Sequence, residues 1–177
     1  MNLETKSMAF KADNLAEDGT FSGYCNVFDV KDSYDEIVKK GAFINSLNEW
    51  QAKGKMPPVL WQHSRSDVIG VWTKLYEDEH GLYGEGRLLI DDVAKAREAY
   101  ALVKNGAIDG LSIGYRTNKW AWNEDESALE LLELDLKEVS IVTFPANTDS
   151  TVSNMKAEAM KQKDVKSALN ILNNLKL

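Results

Sequence analysis

Residues 110–115 read Gly110-Leu111-Ser112-Ile113-Gly114-Tyr115, a single hydroxyl between two glycines in an otherwise apolar run. The string matches G-x-S-x-G, the strand–turn–helix elbow that presents the nucleophile of α/β-hydrolases, and that reading would decide the fold. It requires a helix after the serine, then an acid and a histidine in that order. Instead Ile113 to Trp122 runs IGYRTNKWAW, rich in strand formers, and no histidine follows Ser112 anywhere in the chain. The elbow is rejected, and the stretch reads as a strand.

Period-two patterns surround it. Phe21, Cys25 and Val27 alternate with Ser22, Tyr24 and Asn26, and Val59, Trp61 and His63 alternate with Leu60 and Gln62. Further strands are expected at 67–75, 81–90, 107–117, 128–136 and 137–144. Within 128–136 the leucines change phase between Leu131 and Leu132, which predicts a bulge or a bend. Two helices interrupt the strands. One carries Phe43, Leu47 and Trp50 and stops at Gly54; the other carries Val93, Ala96, Tyr100 and Val103 between Asp91/Asp92 and Gly106. A third helical stripe, Val165, Ala168, Leu169 and Leu172, follows a polar stretch from Thr151 to Lys163. The expected fold is α+β, mainly β: a closed or partly open barrel of about seven mostly antiparallel strands with flanking helices. The barrel domain is expected over 1–150 and a linker with a helical tail over 151–177.

Composition limits the function. A chain of 177 residues buries roughly 70% of its unfolded surface, enough for one self-sufficient core. A net charge of −7 argues against nucleic acid as the main partner. The lone cysteine, Cys25, has no internal disulfide partner, and no Cys/His spacing resembles a zinc site. No stretch is apolar for long enough to span a bilayer, and the N-terminus lacks a signal-like apolar core, so a soluble, intracellular chain without a cofactor is expected.

Ser112 shares its strand face with Gly110 and Gly114, so no neighbouring side chain crowds its hydroxyl. His63 ends the apolar PVLWQH run, whereas His80 lies in an acidic string that reads as an exposed turn. Glu138 shares a face with Ser140, Val142 and Phe144 at the start of an apolar strand, a place from which an acid could orient a base. Taken singly, each residue is also what close packing or a strand end would produce, so the residues alone leave both readings open. Asp29, Asp32 and Asp35 lack the glycine and spacing of a calcium loop and read as a solvated turn. Glu124-Asp125-Glu126 reads as a loop face, and Trp61, Trp72, Trp120 and Trp122 as core or rim.

In order, GYCNVFDVKDSYDEIVKKGAF, PVLWQH, Val68-Ile69-Gly70-Val71, GLYGEG, NGAIDGLSIGY and LKEVSIVTFPAN resemble the prohead (capsid-maturation) serine proteases of tailed bacteriophages over residues 8–150. That family is similar in fold to the maturational protease of herpesviruses. The resemblance implies Ser112 as nucleophile, His63 as general base and Glu138 as third member, with no cofactor or metal. It implies coat protein and scaffold segments as substrates, self-cleavage, a place inside the assembling prohead in the host cytoplasm, and a homodimer or higher oligomer. For oxyanion donors the candidates are the loop from Phe144 to Asn147 and Arg116. The rival readings are an inactive assembly protein on the same barrel and a serine esterase for small molecules.

Overall fold

The computed structural model describes the backbone of residues 4–9 and all of residues 15–143. These belong to the first of two units into which the chain divides, Met1–Asn147. The expected tail and the loop from Phe144 to Asn147 lie outside the described residues.

Among the described residues there are eight strands and two helices: β1 (Glu4–Ala9), β2 (Thr20–Val27), β3 (Glu36–Val38), α1 (Ile44–Ala52), β4 (Pro58–Trp61), β5 (Ser64–Glu77), β6 (Gly81–Leu88), α2 (Ala94–Lys104), β7 (Gly110–Asn123) and β8 (Ala128–Val142). They form one curled sheet in the order β1-β7-β8-β4-β5-β6-β2, with β3 branching onto β8. Only β3 and β4 run parallel to β8; the other pairings are antiparallel. The end strands β1 and β2 come into contact without pairing, so the barrel is partly open, as the α+β, mainly β reading expected.

The expected strands 128–136 and 137–144 are one strand, β8. Two bulges let it run on. Lys119 pairs with Glu133 and Trp120 with Leu131, leaving Leu132 as an extra, exposed residue where the leucine phase shift predicted one. Gly114 pairs with Glu138 and Tyr115 with Leu136, leaving Lys137 as the second.

Core contacts explain the rest. β2 keeps Phe21 and Cys25 inward, and a bulge at Cys25 turns Asn26 inward as well. Burial pushes the Cys25 thiol well above its ordinary range, so it is an inert core residue. The C-terminal glycines follow expectation, Gly54 and Gly106 both adopting positive φ just after their helices. The N-termini do not. Val93 is the N-cap position of α2 and there is no side-chain cap, so Asp91 and Asp92 are turn residues. α1 is served from a distance, where the Glu77 carboxylate accepts the N–H groups of Gly41 (2.7 Å) and Phe43 (2.6 Å). Asp32 also departs from the solvated turn expected of it, because it is 3% exposed and its Oδ1 accepts the N–H groups of Tyr34 and Glu36. Trp72 is core, whereas Trp120 and Trp122 stand exposed on the β7–β8 arm.

Gly84 is fixed by close approach. A Cβ there would sit 2.5 Å from Trp72 Cζ3 and 3.0 Å from Leu75 Cδ2, and the indole also packs edge-on against Phe21 at 5.1 Å between ring centroids. Gly84→Ala should therefore destabilise the fold by about 1–3 kcal/mol through overpacking, measured as a lower urea midpoint with an unchanged slope.

Candidate active site

The site begins with a strained turn. Trp61 pairs with Ser64, so Gln62 and His63 are the two loop residues of the β4–β5 hairpin, and their φ values of 52° and 60° are those of a type I′ turn. That turn favours Asn and Gly, and left-handed backbone at two other residues costs roughly 1–2 kcal/mol each. Four hydrogen bonds offset this cost. Gln62 N–H donates to the Ile141 carbonyl (3.0 Å), Gln62 Nε2 to Thr143 Oγ1 (2.7 Å), Thr143 N–H to Gln62 Oε1 (3.3 Å), and His63 N–H to Ser140 Oγ (3.1 Å). His63 thus does not end a strand on the face of Val59 and Trp61, as alternation suggested. The positive φ values break the two-residue period and turn its ring toward β8.

There it meets Glu138. The His63 Nδ1 atom lies 2.6 Å from Glu138 Oε1, and Ser140 Oγ donates to Glu138 Oε2 at 2.5 Å. The carboxylate is 3% exposed, so both of its oxygens are hydrogen-bonded in a nearly dry setting.

The Lys137 bulge explains how an acid comes to face this way. Before it Leu134 and Leu136 fill the core; after it Val139 and Ile141 do, so parity has flipped and Glu138 and Ser140 lie on the opposite face. Leu136, just before the bulge, is clamped by α1: its N–H donates to Ser46 Oγ (2.9 Å) and its carbonyl accepts from Trp50 Nε1 (2.8 Å). Together with Leu134 N–H, which donates to the Ala42 carbonyl (2.8 Å), these bonds satisfy the edge of β8 between its pairings with β3 and β4.

Ser112 lies on the same face. In register it stands opposite Ser140, and Gly114 stands opposite Glu138. It is fully buried, and among the described residues its hydroxyl has no hydrogen-bond partner. Leaving such a group unmet costs about 1–3 kcal/mol.

A cleft of about 290 Å³ opens beside the pair, lined by His63, Glu138, Arg65, Arg116, Lys137 and apolar residues including Pro58 and Val68. Lys137 is ion-paired with Asp135, whereas Arg65 and Arg116 have no ion-pair partner among the described residues. Pro58 and Val68 also line an adjoining apolar groove of about 540 Å³ with Met56, Val71 and Trp72. The other histidine, His80, sits where the acidic turn was expected, its ring against Tyr24 and its N–H on Asp78 Oδ1. Tyr24 donates its hydroxyl to the same Asp78, which pushes the phenol up to about 12.

Sequence reasoning missed Ser140, Gln62 and Thr143 as parts of the site. Ser140 carried a usable signal, since it follows Glu138 by two residues on one strand face; the Gln62–Thr143 pair carried none.

Among the described residues no helix is long and apolar enough to cross a membrane. The chain is similar in sequence to two phage proteases and in fold to a solved structure. The prohead protease of Enterobacteria phage HK97 is 30% identical over 159 residues, covering 89% of this chain and 68% of that protein. The prohead protease of Escherichia phage T5 is 30% identical over 131 residues, 73% of this chain and 59% of that protein. The solved structure of the bacteriophage T4 capsid assembly protease shares the fold, with a TM-score of 0.63 at 12% identity, over 81% of this chain and 98% of that one. Residues 5–164 match the family described as caudovirus prohead serine protease, and the chain belongs to that family.

Proposed function

We propose that this protein is a serine endopeptidase that cleaves coat and scaffold segments, and itself, inside the assembling prohead in the host cytoplasm, with Ser112 as nucleophile, His63 as general base and Glu138 as the group that orients it. The observation that carries the reading is the 2.6 Å contact of His63 Nδ1 with the buried Glu138 carboxylate, on the sheet face that also bears Ser112.

A carboxylate accepts but does not donate, so Nδ1 carries the proton and Nε2 is left as the base. As Ser112 Oγ attacks the peptide carbonyl, its proton passes to Nε2 and the C–O bond forms. Collapse of the tetrahedral intermediate breaks the C–N bond as Nε2–H protonates the leaving amine. Water then repeats the sequence on the acyl-enzyme and frees Ser112. Glu138 stays ionised throughout and stabilises the transient imidazolium. Arg116, in the cleft beside the pair, is a candidate donor to the oxyanion; the loop from Phe144 to Asn147 is the other.

An inactive assembly protein would have no use for a buried hydroxyl that lacks a partner among the described residues opposite a histidine–carboxylate pair, and the cleft's continuation past Pro58 and Val68 suits an extended chain better than a small ester. The catalytic domain is proposed to end near residue 150, with 151–177 as a separate tail. A homodimer or higher oligomer completes the proposal.

The test is coexpression with the phage coat protein followed by intact-mass measurement. Defined truncation of coat protein or protease is expected, and no truncation with the Ser112→Ala chain. Identical processing by both chains would refute the serine assignment.

A further inference from the structure

We infer that Ser140 is the positioning residue of this site, its single hydroxyl setting both the Glu138 carboxylate and the His63 turn. The inference rests on the reading of His63 as the base. Ser140 is fully buried, and its one proton is committed to Glu138 Oε2 (2.5 Å) while a lone pair accepts the His63 N–H (3.1 Å). One atom therefore joins the backbone that carries the imidazole to the carboxylate that the imidazole meets. With His63 Nδ1 on Oε1 and Ser140 on Oε2, the carboxylate is held at both oxygens and cannot rotate away from the ring.

The same accounting separates the two serines. Ser112 and Ser140 are register partners on one face, so either hydroxyl could be taken for the nucleophile from position alone. Ser140 points its proton at an acid, not at a base, and its oxygen already accepts the His63 N–H. Ser112 has neither commitment among the described residues.

Removing the Ser140 hydroxyl leaves one oxygen of Glu138 and the His63 N–H unmatched, loosening the turn and the acid together. A merely structural serine would lower stability without altering the imidazole. Ser140→Ala, Ser140→Thr and Ser140→Cys, compared with wild type, separate these cases. The low-field Nδ1–H resonance of His63 in ¹⁵N-edited spectra should be sharp in the wild type, broadened or lost in Ser140→Ala, and recovered in Ser140→Thr, which keeps the hydroxyl. With a peptide spanning a junction mapped by coexpression, kcat for Ser140→Ala should fall about 10–100-fold, the range of losses when a supporting partner is removed, with KM within about twofold. Ser140→Thr should recover most of the loss. If Ser140→Ala does not fold, Ser140→Cys, whose thiol is a longer and weaker donor, carries the same comparison.

A Ser140→Ala protein with wild-type kcat and an unchanged Nδ1–H signal overturns the inference. An altered signal in a protein whose wild type hydrolyses no peptide sustains the positioning role and refutes the protease reading instead.

Discussion

Ser112→Ala should abolish peptide hydrolysis, by a factor of order 10⁶ in kcat, and leave the fold at least as stable as before. The first part follows from the serine's proposed role, because triad members act as a unit and loss of the nucleophile alone costs nearly as much as loss of all three. The second part is specific to this structure. The hydroxyl is fully buried and unmatched among the described residues, so its removal takes away a desolvation cost of about 1–3 kcal/mol and leaves an alanine on the face shared with Gly110 and Gly114. A protein that gains or keeps stability while losing all activity has been carrying that hydroxyl for its chemistry. The check is a pair of measurements on one sample, thermal unfolding and turnover of the mapped junction peptide. A marked drop in melting temperature would place Ser112 among packing residues instead.

Glu138→Gln should cost roughly 10⁴ in turnover, the loss seen when an amide replaces the acid of a serine-protease triad. The bonding around Glu138 gives the reason. In the native site both oxygens accept hydrogen bonds, one from His63 Nδ1–H and one from Ser140. An amide offers one oxygen and one NH₂ group, so it cannot accept from both. If the oxygen meets Ser140, the NH₂ faces Nδ1, which must then give up its proton; the proton moves to Nε2 and the base is gone. If the oxygen meets His63, Ser140 must reverse, and the imidazolium still lacks a balancing charge. A loss within about tenfold in steady-state kinetics would show that the tautomer is set by another group.

The candidate site was partly legible in the sequence. Ser112 between two glycines and Glu138 two residues from Ser140 are both visible as period-two faces, and register pairing makes those faces the same one. The leucine phase shift at Leu131/Leu132 marked a real bulge. The Lys137 bulge left no such mark, because the residues on either side of it, Leu136 and Glu138, continue a plausible alternation on their own. Without that bulge Glu138 would be on the core side, so its buried, paired state could not be deduced from the pattern. His63 was legible as a residue but not as a conformation. Gln-His is not a favoured type I′ pair, and the turn exists because Ile141, Thr143 and Ser140 hold it from a strand nearly eighty residues away. Separation in sequence also hid the α1 cap, since Glu77 serves that helix from β5, more than thirty residues on, while the local sequence supplies no cap. β1 and β3 likewise owe their strand state to pairing with β7 and β8.

The most direct test of the central claim, that Ser112 is a nucleophile activated by the His63–Glu138 pair, is to treat the active protein with a fluorophosphonate and map the adduct by peptide mass spectrometry. One adduct is expected, on Ser112, absent from the His63→Ala protein. An adduct on Ser140, or peptide hydrolysis that persists in a sample whose Ser112 is fully labelled, would contradict the account.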